Sequence, residues 1–357
     1  MEMASRNLPA VNPRYSAPLD LINGKIDLSH GGGGRAMAQL IDSLFIKHFD
    51  NQLLSQRNDQ ALFTPPAGRL VISTDGHVIS PLFFPGGDIG SLAVHGTIND
   101  VAMSGAKPLY LAAGFILEEG LPLADLQKIV ISMAYAANKA GVPIITGDTK
   151  VVERGKGDGV FITTTGVGVV ADGIAISSER AEAGCKILVS GSLGDHGIAI
   201  MAGRENLQFE TAIISDSAAL HGLVADMLAV APNAIRCLRD PTRGGLATVL
   251  NELAQQSAVG MMIDEAKIPV KTEVKAACEI LGLDPLLVAN EGKLVCICEA
   301  DAAERLLNAM RQHPLGQDAA IIGEVITDPL CFVQMTTAFG GRRMVDWPVG
   351  EQLPRIC

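Results

Sequence analysis

The chain has 357 residues, 48% of them hydrophobic and 19% charged, which suits two packed cores and excludes disorder as its main state. Its 28 Lys and Arg stand against 39 Asp and Glu, a net charge of -11, and 4% of residues are aromatic. A general nucleic-acid binder is therefore excluded, because it needs a basic face and stacking platforms. No apolar run reaches the roughly 18 residues of a membrane helix, and the first 20 residues lack the basic and apolar regions of a secretory signal. Seven dispersed cysteines without a CxxC read as reduced thiols of a cytoplasmic protein.

Residues 1–25, with Pro9, Pro13 and Pro18, read as an irregular arm. A tetraglycine, Gly31 to Gly34, leads into a helix over 35–49. Apolar runs and periodicity then predict a strand over 69–73, a helix over 88–104, a strand over 109–117, a helix over 122–140, and strands over 142–145 and 160–170. A second series follows: a strand at 186–190, helical segments up to 230, a helix at 245–257 and a strand at 259–263. A helix at 271–281, a strand at 294–298, a helix at 301–311 and strands near 321 and 332 complete it. This divides the chain into an arm (1–25), a first domain (26–175), a second domain (176–340) and a mobile tail (341–357).

Four aspartates fall at predicted element ends beside small or turn residues. They are Asp75 in Ser73-Thr74-Asp75-Gly76, Asp100 in Asn99-Asp100-Val101-Ala102, Asp148 in Thr146-Gly147-Asp148-Thr149-Lys150, and Asp240 in Asp240-Pro241-Thr242-Arg243-Gly244-Gly245. Carboxylates at strand ends can hold Mg²⁺ shared with substrate phosphates, and hard oxygen donors disfavour zinc. Each also reads as an ordinary turn residue, and Asp240 as a cap of the following helix. There is no GxxxxGK[ST] phosphate loop. The tetraglycine suits a phosphate through its free N–H groups, or is simply a linker.

Cys357, the last residue of the sequence, carries a thiol that can travel between sites on a tail, or is an incidental frayed end. Cys296 and Cys298 point to one face of a strand, and their apolar neighbours favour a buried strand over a soft-metal pair. His30 and His77 read as turn histidines exposed to water, and His196 as structural support.

The order of the Gly-rich loop, Ser-Thr-Asp-Gly, Asn-Asp-Val-Ala-Met-Ser-Gly-Ala-Lys-Pro, Thr-Gly-Asp-Thr-Lys and Asp-Pro-Thr-Arg-Gly-Gly resembles the ATP-using PurM, SelD and ThiL superfamily over residues 25–357. The closing Pro-Arg-Ile-Cys resembles its hydrogenase-maturation family, HypE. The resemblance implies a PurM-like two-domain fold. Its N-terminal α/β domain would form a dimeric β-barrel core, followed by an α+β C-terminal domain and a flexible C-terminal tail. It implies ATP and Mg²⁺ as cofactors, with Asp75, Asp100, Asp148 and Asp240 as metal positions and nucleotide contacts near Gly31, Gly32, Gly33, Gly34, Asn99 and Lys150. It also makes Glu291, in Asn290-Glu291-Gly292, a nucleotide-site or proton-transfer candidate. The implied activity is ATP-dependent dehydration of an S-carbamoyl group on Cys357 to thiocyanate, the source of a cyanide ligand for [NiFe]-hydrogenase iron. Glu291, Lys150 and His95 are the candidate bases. The implied partners are a carbamoyltransferase, HypF, a HypC–HypD complex, and a second copy of the chain. Two other readings stand beside this one: a free-metabolite ligase or kinase of the same superfamily, and a non-catalytic assembly protein.

Overall fold

The computed structural model describes residues 18–204, 213–348, 350 and 355–357. Most of the predicted arm, part of the stretch read as helical before 230, and Pro354 of the terminal motif lie outside them. The first half runs through α1 (Arg35–Leu40), α2 (Lys47–Phe49), β1 (Arg69–His77), β2 (Phe83–Phe84), β3 (Gly87–Asp88) and α3 (Ile89–Met103). It continues through β4 (Lys107–Glu118), α4 (Leu123–Ala140), β5 (Ile144–Val152) and β6 (Val160–Val170). A π-helical turn over Ile41–Ile46 joins α1 to α2, so the helix predicted at 35–49 forms but is widened in its middle. Asp88 starts α3 by accepting from the N–H groups of Gly90 and Ser91, and Ser91 returns a bond to the Asp88 backbone. Gly141, in the left-handed region at φ 68, closes α4.

The sheet of this half has the order β1-β6-β4-β5. The pair β4–β5 is parallel, bridged by α4, and the other two pairs are antiparallel. One face packs on α3 and α4 around Leu92, Leu111, Phe115, Ile129 and Ile162. The other is bare: Leu70, Ile72 and Ile116 are 62%, 74% and 42% exposed. The expected β-barrel is not found. The four strands form an open sheet, with β1 and β5 as its separate edges.

The second half comprises β7 (Lys186–Val189), α5 (Asp195–Arg204), α6 (His221–Val230), β8 (Ile235–Arg239), α7 (Gly245–Ser257), β9 (Gly260–Asp264) and α8 (Thr272–Leu281). β10 (Val295–Cys298), α9 (Ala303–Gln312), β11 (Ala320–Ile326), β12 (Val333–Thr336) and β13 (Arg342–Met344) complete it. Its seven strands order as β13-β12-β9-β11-β7-β10-β8. The halves form a two-domain α/β plus α+β arrangement with continuous packing between them. Ala102 and Met103 of α3 share a core with Leu220, Leu223 and Met227. Asn99 acts as a clasp: its amide donates to the carbonyls of Ala218 (3.0 Å) and Glu291 (3.2 Å) and accepts from the N–H of Leu220 (2.8 Å).

Candidate functional site

Both acidic strands run further than their sequences suggest. β1 continues through Thr74-Asp75-Gly76 because that stretch pairs with Thr163, Thr164 and Thr165 of β6. β5 continues through Gly147-Asp148-Thr149-Lys150 against Ala113 to Ile116 of β4. Residues that disfavour strands as turn formers are carried by partner strands rich in β-formers. The two-residue period then sorts the carboxylates. Asp75 faces α3, close enough that a Cβ on Gly96 would lie 3.4 Å from it. Asp148 pairs in register with Gly114 and stands on the bare face.

A cavity of about 440 Å³ opens between the halves, lined by residues that include Gly76, Arg243, Gly244, Ala289 and Cys357. Residues 355–357 are docked into its wall. The Val78 N–H donates to the Cys357 carbonyl (3.0 Å) and the Ser80 N–H to the Arg355 carbonyl (3.3 Å), extending the chain at Ile79 by one short strand. Ile356 is buried with Ile79, Ile200 and Ala289, which stabilises docking by about 1.5–3 kcal/mol. His196 Nε2 lies 2.7 Å from the Ile356 carbonyl. The Arg204 guanidinium donates to the carbonyls of Ser80 (2.8 Å) and Arg355 (2.9 Å), and Arg355 pairs with Asp158 at 3.0 Å. Burial and the neighbouring Glu291 push the Cys357 thiol up to about 12, against the pull of Arg243.

Beside the thiol stands a group of carboxylates. Glu291 is buried, its Oε1 has no hydrogen-bond partner, and its pKa is held well above the usual range by burial, then by Asp240, Asp216, Asp75 and Asp100. Burial, with Asp100 next, raises Asp240 to about 7. Asp100 is raised by burial and by Asp75, although Ser73 donates to it at 2.8 Å. Arg243 approaches Asp75 at 3.6 Å. The loop holding Glu291 is fixed from several sides. Asn290 donates to the carbonyls of Pro241 and Val288, and Asp216, itself paired with Lys293 at 3.1 Å, accepts from the Glu291 N–H. Position 292 must be glycine, because a Cβ there would lie 1.8 Å from the Asp216 carbonyl oxygen. Asp240 does not cap α7: Gly244, at φ 72, occupies that position.

The remaining sequence candidates gather elsewhere. Lys150 donates to Asp148 at 2.5 Å on the bare face, and this bond lowers the Asp148 pKa. Gly31 abuts Val151, where a Cβ would lie 2.9 Å from the Val151 nitrogen, so the glycine loop lies along this same strand. Gly33 takes φ 73, and Gly34 precedes a first helix of only six residues. Thus Asp75 and Glu291 act on Cys357, with Asp100 and Asp240 acting on Glu291, whereas Asp148 and Lys150 pair on the bare face and Gly31 meets the same strand at Val151, on its other face. Asn99 faces neither; its amide clasps the Glu291 loop. His95 bonds Ser217 at 2.9 Å and is lowered to about 4 by burial and by Lys139 and His221, charges other than those acting on Cys357.

His30 and His77 are buried rather than exposed, the first in a capping box with Asp27, the second against Thr164. Cys296 and Cys298 are buried in the interior strand β10. Sequence reasoning missed Asp216 and Lys293, and it gave no hint that His196 meets a residue 160 positions away. A buried Asp–Lys pair leaves no local signature.

Among the described residues, no three His, Cys, Asp or Glu side chains converge so as to hold a metal ion. The four aspartates are therefore not a ready-made cage. They suit the usual arrangement for Mg²⁺, in which one or two carboxylates share the ion with phosphates and water. Asp75, Asp100 and Asp240 supply hard oxygen donors whose mutual repulsion a cation would relieve. Among the same residues, no helix is long and apolar enough to cross a membrane.

Comparison with known proteins agrees with this geometry. Residues 57–170 match the family AIR synthase related protein, N-terminal domain, and residues 182–335 match AIR synthase related protein, C-terminal domain. The chain is 69% identical over 339 residues to the carbamoyl dehydratase HypE of Azotobacter vinelandii, covering 95% of this chain and 99% of the relative. It superposes on a hydrogenase maturation protein HypE in complex with ATP with a TM-score of 0.89 and 50% identity, over 92% of this chain and 99% of that one. It also superposes on a chain of a HypE–HypF complex, with a TM-score of 0.77 and 51% identity, over 87% of this chain and 99% of that one.

Proposed function

The chain belongs to the HypE family of carbamoyl dehydratases, and we propose that it carries its substrate on Cys357 and dehydrates it in the cleft where that thiol is docked. The observation that carries this reading is the placement of Cys357 beside Glu291, Arg243 and Asp75. A carbamoyl group on the thiol is S–C(=O)–NH₂, and its conversion to S–C≡N removes one oxygen and two protons. Hydroxide is a poor leaving group; ATP, when bound, supplies a phosphoryl group for that oxygen, so that phosphate leaves instead. One or two of Asp75, Asp100 and Asp240 would hold the accompanying Mg²⁺ together with phosphate and water oxygens, and Arg243 would meet phosphate at the mouth of the cleft. Glu291 would take a proton from the carbamoyl nitrogen. Its proton is held on by burial and by neighbouring carboxylates, so neutralising Asp75, Asp100 and Asp240 frees it to act as a base.

Asp148 and Lys150 would act on the nucleotide from the bare sheet face, with the glycine loop beside the same edge strand at Val151. Burial of Leu70, Ile72 and Ile116 against a second copy fits a homodimer over that face. A carbamoyltransferase of the HypF type supplies the carbamoyl group in this reading, a HypC–HypD type complex receives the cyano group, and the site of action is the cytoplasm. The domain limits near 26–175 and 176–340 are kept, except that β13 and Val345 belong to the sheet and core of the second half, so the carrier segment begins after 345 rather than at 341.

The test is intact mass. Protein is carbamoylated with the carbamoyltransferase and carbamoyl phosphate, isolated, and given Mg·ATP. A carbamoyl adduct on the peptide containing Cys357 that then loses one water supports the reading. ATP hydrolysis with that peptide unmodified throughout would refute it.

A further inference from the structure

The docked tail is read mainly at its main chain. Two of its carbonyls, those of Arg355 and Cys357, are taken by N–H groups of the segment at Val78 to Ser80. The carbonyl between them, that of Ile356, points the other way and meets His196 Nε2 at 2.7 Å. A carbonyl only accepts, so Nε2 carries the ring proton and Nδ1 accepts from the Ser215 hydroxyl, 2.8 Å away. The Phe84 ring stands edge-on to the imidazole, with centroids 5.6 Å apart, and His196 is wholly buried. The next residue, Gly197, donates to the Ala289 carbonyl at 3.1 Å, two positions before Glu291. The start of α5 thus stands between the tail, held by the imidazole, and the loop that holds the proposed base, held by the Gly197 N–H.

We propose that His196 is a positioning residue, a latch that sets the fraction of time Cys357 spends docked beside Glu291. The inference rests on the reading of Cys357 as carrier. That role places opposite demands on one thiol: it must be accessible to gain its carbamoyl group and enclosed to be dehydrated. The other side-chain contacts on the tail are less suited to decide between these states. The Arg355–Asp158 pair is exposed, at 56% and 37%, and such pairs contribute little. Arg204 divides its bonds between the tail and Ser80. The His196 bond is short, enclosed and made to a tail carbonyl that no main-chain N–H serves.

The experiment uses the full chain and two amide substitutions. His196→Gln places an N–H near the Nε2 position; His196→Asn places one near Nδ1 and cannot reach Ile356. Each protein is treated with iodoacetamide, and the peptides containing Cys357 and Cys331 are followed by mass. These are the two cysteines that are not buried, and Cys331 serves as internal reference. The docked thiol is half-buried and its pKa is pushed up to about 12, so its alkylation rises with the undocked fraction. Losing one net hydrogen bond should raise the Cys357 to Cys331 ratio about tenfold in His196→Asn, with His196→Gln within about twofold of the parent. With isolated carbamoylated protein, His196→Asn should slow dehydration by a similar factor at unchanged ATP affinity, and His196→Gln should restore it.

Equal alkylation ratios in all three proteins would overturn the latch. If His196→Asn loosens the whole fold, so that buried thiols react as well, Ser215→Ala replaces it. That change removes the partner that fixes the ring tautomer; a raised ratio supports the latch and an unchanged one overturns it. Failure of the parent protein to accept a carbamoyl group would instead defeat the carrier reading, while the alkylation ratios still decide whether His196 holds the tail.

Discussion

The tail cleft and the bare sheet face hold carboxylates under opposite electrostatics: of the cleft's group only Asp75 lies on the four-stranded sheet, with Asp100 on α3 and Asp240 and Glu291 in loops of the second half. In the cleft, burial and like charges push the pKa values of Asp100, Asp240 and Glu291 upward. On the bare face Asp148 is lowered, because Lys150 bonds it in the open. The two-residue strand period accounts only for the opposite faces taken by Asp75 and Asp148. Under the proposed function a cation bound in the cleft would relieve this repulsion, so its binding would be coupled to proton release and to freeing Glu291. The face holds a paired, exposed Asp148 and Lys150, which have little to gain from a cation by themselves.

The largest expected effect removes the cleft's cargo. Cys357→Ala should give no carbamoyl adduct and no cyanated product by mass, with Mg·ATP affinity near the parent value; retained product would move the chemistry off this thiol. Next comes Glu291→Gln, which should slow dehydration by about 10²- to 10⁴-fold, the usual contribution of a positioned base. Its carbamoyl adduct should still form and then persist after Mg·ATP is added. A rate within a few-fold of the parent would transfer the base role to another residue. Smaller still are Asp75→Asn and Asp148→Asn, measured side by side by nucleotide titration with and without Mg²⁺. Each should weaken Mg·ATP binding by about 10- to 100-fold, the range for a lost interaction with a charged group. An effect confined to Asp75→Asn would show that the face has no part in the nucleotide site.

Much of this was legible in the sequence, and the failures share a cause. The helix predicted at 245–257 coincides with α7, and the strand at 160–170 with β6, because apolar period and flanking glycines agree there. β1 and β5 were cut short at Asp75 and before Asp148, since Asp beside Gly is a local turn signal and the partner strands that override it are distant in sequence. That error hid the face assignment, which is the fact that divides the four aspartates. β8 was not foreseen because Arg236 and Arg239 break its apolar run. The expected barrel failed for a related reason: strand count and edges belong to the whole sheet, and no single segment reveals them. Glu291 and Cys357 entered through resemblance, whereas their contact, and the part played by His196 and Asp216, needed the fold.

The smallest effect distinguishes the two regions by sign. Asp240 ionises near pH 7 in the folded chain against an ordinary value of 3.8, so as pH rises the unfolded chain releases this proton first. The stability present below about pH 4 is therefore lost progressively up to about pH 7 and is not regained above it. Asp240→Asn keeps the shape and cannot ionise. Its melting temperature without nucleotide should exceed the parent's by a few degrees at pH 7.5 and match it near pH 4. Glu291 contributes a slope of the same sign, so the variant's stability should still fall with pH, but less steeply. Asp148 behaves in the opposite way. Its lowered pKa contributes stability that is present above the ordinary carboxylate range and lost on acidification, and its exposure keeps that contribution small. Asp148→Asn should therefore give no gain in melting temperature at pH 7.5. Saturating Mg·ATP should close most of the gap between the parent and Asp240→Asn, because the repulsion that the substitution removes is then already neutralised. If the gap stayed as wide with nucleotide bound, the carboxylates of the cleft would not be where the cation sits.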